Sequence, residues 1–153
     1  MKFAADKTVG KLARWLRAMG YDCVSVKEPM EFFKNPESGR IFLTRARTIR
    51  GGDPKAHPCI MLVENSLKKQ LQELVSHIPD LLKEPSWFSR CILCNTPIRN
   101  RTKETLRGEV PDFIYETKDE FKECPDCGKI YWKGSHPGRM QKYLEMLLVE
   151  DDP

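Results

Sequence analysis

The sequence predicts an α/β fold: a small domain with a mostly parallel sheet, then a four-cysteine zinc ribbon, then a C-terminal helix. Two observations carry the architecture. Short apolar strand patterns alternate with helical patterns through the first half of the chain, and two Cys-x-x-Cys knuckles punctuate the second. A third observation concerns function. Residues 1–50 carry 11 Lys+Arg against 5 Asp+Glu, so the basic charge of a chain with net charge +4 is concentrated in its first third.

The elements follow in order. Phe3-Ala4-Ala5 is an apolar strand closed by Asp6, and a helix is expected from about Thr8 to Met19, ended by Gly20. At about 100° per residue, Val9, Leu12, Ala13, Leu16 and Met19 share one side of that helix, and Lys7, Lys11, Arg14 and Arg17 share the opposite side. Cys23–Val26, Ile41–Thr44 and Cys59–Val63 read as further strands, with a short helix around Met30–Phe33 between the first two. Leu67, Leu71, Leu74 and Ile78 form the stripe of an amphipathic helix that Pro79 ends. Met140, Tyr143, Leu144, Leu147 and Leu148 give a last helix before an acidic tail. The expected divisions are residues 1–86 for the α/β domain, 87–136 for the ribbon, and 137–153 for the final helix and tail.

The knuckles are Cys91-Ile92-Leu93-Cys94 and Cys124-Pro125-Asp126-Cys127, separated by the 29 residues Asn95 to Glu123. A two-residue gap lets one tight turn present two sulfurs to the same ion, and four thiolates suit tetrahedral zinc. The same ligands suit a rubredoxin-like iron site. Four thiolates close the coordination sphere, so the ion is structural. Cys23 and Cys59 lie in apolar strand patterns and are expected as small buried core residues. No apolar stretch is long enough to cross a membrane, and the N-terminus lacks a signal-peptide core, which gives the expectation of a cytoplasmic protein.

Asp6, at the carboxyl end of the first strand, stands where ligands bind in parallel sheets, and it is equally placed to cap the helix. The basic stripe that begins beside it suits a phosphate backbone, or is simply a solvated face. Arg45, Arg47 and Arg50 end another strand in a glycine-bearing loop. Asp22, Glu28, Glu31 and Asp53 lie near strand ends or the short helix and are the other candidate carboxylates. In the ribbon, Trp87, Phe88, Tyr115, Tyr131 and Trp132 are either core or stacking faces for unpaired bases.

Phe3-Ala4-Ala5-Asp6, Gly10 through Arg17, Gly20-Tyr21-Asp22, Leu43-Thr44-Arg45, Phe88 through Cys91 and Cys124 through His136 together resemble the Mut-seven C-terminal RNase domain family. The resemblance implies a PIN-like nuclease fold with an appended zinc ribbon. It further implies carboxylates, Asp6 among them, that hold Mg²⁺ or Mn²⁺, and an RNA partner gripped by Lys7, Lys11, Arg14 and Arg45. The chain departs from that pattern at position 46, where Ala46 stands in place of an expected Asp, and between Asp22 and Leu43, which lacks the family's acidic cluster. Two functions are therefore open. One is an RNA-binding protein of ribonuclease ancestry with a weakened metal site, acting on structured or ribosomal RNA. The other is an active Mg²⁺- or Mn²⁺-dependent ribonuclease that uses Asp6 with Asp22, Glu31 or Asp53.

Overall fold

The computed structural model describes residues 1–35, 39–49, 58–133 and 136–149. Asp53, Arg50 and the acidic tail lie outside the described residues. Strands β1 (Lys2–Ala5), β2 (Asp22–Ser25), β3 (Ile41–Thr44) and β4 (Cys59–Met61) form one sheet in the order β2-β1-β3-β4, every pairing parallel. β1 is flanked on both sides, and its Phe3, Ala4 and Ala5 are buried, as expected of a parallel strand covered on both faces.

A 3₁₀ turn (Lys7–Val9) leads into helix α1 (Gly10–Ala18). The predicted apolar stripe of Val9, Leu12, Ala13, Leu16 and Met19 is fully buried in the main core. Gly20 closes the helix at φ +91°, its N–H donating to the Arg17 carbonyl while the Tyr21 N–H reaches back to Leu16, both at 2.9 Å. This double bond pattern requires a left-handed residue, which glycine adopts without strain. Gly20 is also needed for space: a Cβ there would lie 2.3 Å from the Ser86 carbonyl oxygen. The joint between the two halves of the chain thus rests on the end of α1.

Helix α2 (Pro29–Phe33) covers the opposite sheet face, where Phe32 and Phe33 meet Phe42 at ring-centroid distances of 5.3 and 4.8 Å. Helix α3 (Leu67–His77) starts at Ser66, which caps the Lys69 N–H, and buries Leu71 and Leu74 beside α1. β4 differs from expectation at one residue. Cys23 is buried in the core, but Cys59 is exposed, because β4 is an edge strand whose inward positions are Ile60 and then Leu62.

The second half forms an antiparallel sheet of β5 (Arg99–Arg101), β6 (Phe121–Glu123) and β7 (Ile130–Trp132), in that order. Between β5 and β6 the chain makes a 3₁₀ turn (Lys103–Leu106) and helix α4 (Asp112–Thr117), which the sequence pattern did not reveal. α4 offers only Ile114 and Tyr115 to the small cluster of Leu106, Val110 and Phe121, too few positions for a helical period to register. Helix α5 (His136–Val149) returns to α1: Leu144 enters the main core, Met140 joins the cysteine cluster, and the Tyr143 ring lies 5.5 Å from that of Trp15. No helix among the described residues is long and apolar enough to cross a membrane.

Gly20→Ala is expected to lower stability by about 2 kcal/mol, since it forces a left-handed Cβ against backbone oxygen. Urea unfolding followed by circular dichroism measures it, and an unchanged midpoint would contradict the packing described.

Candidate nucleic-acid interface and metal centre

The strand order reverses between β1 and β3, so the crevice for a ligand opens beyond the carboxyl ends of those two strands. Asp6 follows β1 at this point and Thr44 ends β3. Asp6 is 5 % exposed and both of its oxygens are engaged. Oδ1 accepts from the Thr8 N–H at 2.9 Å and from the Thr8 hydroxyl, and Oδ2 accepts from the Thr44 hydroxyl. The two hydroxyls accept in turn from the Arg45 and Ala46 N–H groups at 2.8 and 2.9 Å. Asp6 therefore caps the turn that starts α1 and ties the loop after β3 to it, the structural half of its two predicted roles.

Above this network lies a groove of about 930 Å³. Lys7, Lys11, Arg14, Arg17 and Arg45 line it, and none of its lining residues is acidic. The amino ends of α1 and α3 line it as well, through Gly10 and Ser66, so two helix dipoles add positive potential. Lys7, Lys11 and Arg14 are exposed and have no ion-pair partner among the described residues. Arg45 is half-buried; one terminal nitrogen donates to the Asn65 side chain, while its Nε is buried with no acceptor. A buried donor without a partner costs about 1–3 kcal/mol. Arg47 is exposed but is not among the residues lining the groove.

Arg17 corrects the sequence reading. The sequence groups it with the solvent-facing cations, yet it is 5 % exposed and used as an internal strut. Its Nε donates to the Cys23 carbonyl at 2.8 Å, one terminal nitrogen to Ile92 and Leu93 carbonyls at 3.0 and 3.1 Å, and the other to Ser25 Oγ at 2.8 Å. The helical period sets it on the side away from the apolar stripe, but there the first knuckle folds over it.

Asp22 and Glu31 do not converge on Asp6, and Glu28, directly before α2, joins no group of three ligand atoms among the described residues. Asp22 begins β2, in register with Lys2, and so sits at the amino end of the sheet while Asp6 sits at the carboxyl end. It is held by Arg40 at 2.7 and 3.1 Å and by the Asn95 side-chain amide at 2.7 Å. Glu31 lies on the exposed side of α2, paired with Lys34 at 2.7 Å. Asp53 lies outside the described residues. Among the described residues, the only gathering of three or more His, Cys, Asp or Glu ligand atoms is Cys91, Cys94, Cys124 and Cys127.

Those four sulfurs lie within 4.8 Å of one another, a donor set that fits a tetrahedral metal such as zinc. Each knuckle closes with a left-handed residue, Asn95 at φ 68° and Gly128 at φ 75°, whose N–H donates to the carbonyl of the first cysteine at 2.9 Å. The Tyr131 hydroxyl donates to Cys91 Sγ at 3.1 Å. Burial opposes the Cys91 thiolate, but that hydroxyl and the Cys94 and Leu93 N–H groups outweigh it and bring the thiol down to about 7. Such hydrogen bonds prepare the sulfur for a cation.

A family model described as "Mut7-C RNAse domain" matches residues 1–144. The chain belongs to the Mut7-C RNAse domain family. No curated protein and no solved structure matches it. Within this Mut7-C chain, sequence reasoning missed Thr8, Thr44, Asn65 and Asn95; apart from the local contact of Thr8 with Asp6, their roles are set by partners distant in sequence. The only available hint for Asn95 was its place directly after a knuckle, where a left-handed residue is required.

Two outcomes follow from the geometry. The Arg40 guanidinium, against opposing burial and aided by Asn95, holds Asp22 down to about 2 from the ordinary 3.8. A depressed folded-state pKa means that the unfolded chain binds more protons, so this stabilisation is complete above 3.8 and is lost as pH falls through about 2. Asp22→Asn should therefore narrow its stability deficit against the parent protein across that acid window, as read by urea unfolding at stepped pH. Cys124→Ala, or strong chelation, should release the bound metal, whose binding supplies on the order of 10 kcal/mol to ribbons of this kind, and should abolish the near-ultraviolet signal of Trp87 and Trp132. Metal analysis and circular dichroism of the purified protein check this.

Proposed function

We propose that the chain is an RNA-binding protein of ribonuclease descent that holds the phosphate backbone in the cationic groove and no longer supports metal-dependent cleavage. Structured RNA, ribosomal RNA included, is its partner, and the zinc-bound ribbon is a brace. The observation that carries this reading is the groove itself: Lys7, Lys11, Arg14 and Arg45 and two helix amino ends face one crevice, and no carboxylate lines it. Each phosphate neutralised by such cations releases condensed counterions, which makes binding favourable and salt-sensitive.

Loss of cleavage is supported by the donor set. Mg²⁺ or Mn²⁺ needs hard oxygen ligands. No three carboxylates gather at the crevice among the described residues; the oxygens of Asp6 are engaged by Thr8 and Thr44, and position 46 beside it is alanine. A dication placed there would face Lys7, Lys11, Arg14 and Arg45 with no carboxylate in the groove lining to offset them, so the described residues do not fit that ion. Lys7, Lys11, Arg14 and Arg45 carry the contact in this reading, and Arg17 holds their helix in place.

Lys11→Ala and Arg14→Ala should each weaken RNA binding several-fold at moderate salt and lower the slope of log affinity against log salt by about 1. Fluorescence anisotropy across a salt series measures both. In parallel, nuclease-free protein with Mn²⁺ should leave labelled RNA intact. Manganese-dependent cutting that Asp6→Asn abolishes would instead make the chain an active ribonuclease.

A further inference from the structure

The ribbon carries a second groove, of about 510 Å³, that neither the metal nor the cationic crevice explains. Trp87, Phe88, Tyr131 and Trp132 line it. Tyr131 is buried and committed to Cys91, so the ring faces on offer are those of Trp87, Phe88 and Trp132, each half-buried. Trp132 and Trp87 have one side packed in apolar clusters, which fixes the rings without covering them. Phe88 is held at φ 64°, a left-handed backbone that costs a bulky residue about 1–3 kcal/mol. Its carbonyl is clamped by the Lys122 ammonium at 3.1 Å, and its ring lies 6.5 Å from that of Trp87.

The polar rim is equally specific. The Asn100 side chain is exposed at the groove and makes no hydrogen bond among the described residues, leaving both an amide donor and an acceptor. Lys133 is exposed there without an ion-pair partner among the described residues, whereas Arg101 is neutralised by Glu109 and Glu123 at 3.1 and 2.6 Å; of the two acidic residues in the lining, Asp119 is paired with Lys103 at 3.5 Å, and the charge of Glu120 is set against those of Lys122 and Lys133. A ligand matched to these features has a flat π face, hydrogen-bonding groups on its edge, and an attached anion.

We propose that this groove is a nucleobase site: an unpaired base of the bound RNA stacks on Trp132, Trp87 or Phe88, meets the Asn100 amide with its edge, and leaves its phosphate near Lys133. The proposal rests on the RNA-binding reading above and adds that single-stranded bases, as well as the backbone, are recognised. Stacking of this kind tolerates sequence and is strong per base.

The test compares two oligonucleotides of equal length and charge, a single-stranded RNA and its abasic ribose-phosphate counterpart, titrated against the full zinc-loaded chain by anisotropy. The base-bearing strand should bind at least about tenfold tighter. Trp132→Leu and Phe88→Ala should each shrink that ratio while leaving abasic affinity and bound zinc unchanged, and Asn100→Ala should shrink it without touching the core. A Trp132→Phe chain, which keeps a ring, should retain most of the ratio. Equal affinity for the two strands would overturn the base site and leave the backbone groove standing, as would a ratio indifferent to Phe88→Ala and Asn100→Ala in zinc-loaded protein. Binding of neither strand would overturn the RNA-binding reading and the base site together.

Discussion

The buried guanidinium of Arg17 is the constraint on which the arrangement depends. A cation withdrawn from water costs several kcal/mol unless acceptors replace its hydration. Arg17 finds four: two on the β2 strand and two carbonyls inside the first knuckle. The contact can form only when the helix end, the sheet edge and the knuckle are all in place, so it links the folding of the α/β domain to that of the ribbon. Asn95 repeats the link a few residues away, accepting from the Cys23 N–H at 2.9 Å while donating to Asp22. β2 would otherwise present an unprotected edge, and the knuckle covers it.

The same helix therefore divides its cations between two tasks. Lys7, Lys11 and Arg14 stay in water at the amino end, where the helix dipole already favours anions, while Arg17 is drawn inside near the carboxyl end, where a cation complements the dipole. Asp6 acts in the same sense. By engaging Thr8 and Thr44 it fixes the turn before α1 and the loop after β3, and so sets the distance between the two cationic walls of the groove. Leu93, from the exposed part of the knuckle, lines that groove as well. The ribbon thus shapes the crevice without supplying charge to it.

Much of this was legible in the sequence because it depends on local spacing. Strand and helix alternation, the apolar stripe of α1, the Gly20 stop and the four sulfur ligands each follow from a period or a gap of a few residues. Family membership followed from the same ordered strings. α4 was missed because two apolar residues do not make a period, and Cys59 was misplaced because an apolar run does not say whether its strand is central or at the edge.

What the sequence by itself determined was which residues are cationic, apolar or metal-ligating, and on which side of each element they stand. Only the tertiary structure decided which of them meet: that Asp22 and Asp6 lie at opposite ends of the sheet, that Arg17 is a strut and not a contact, and that Thr44 closes on Asp6. The physical reason is range. Periodicity and capping act within a few residues, whereas burial and hydrogen-bond partnership depend on segments such as Ser25 and Leu93, which only chain topology brings together.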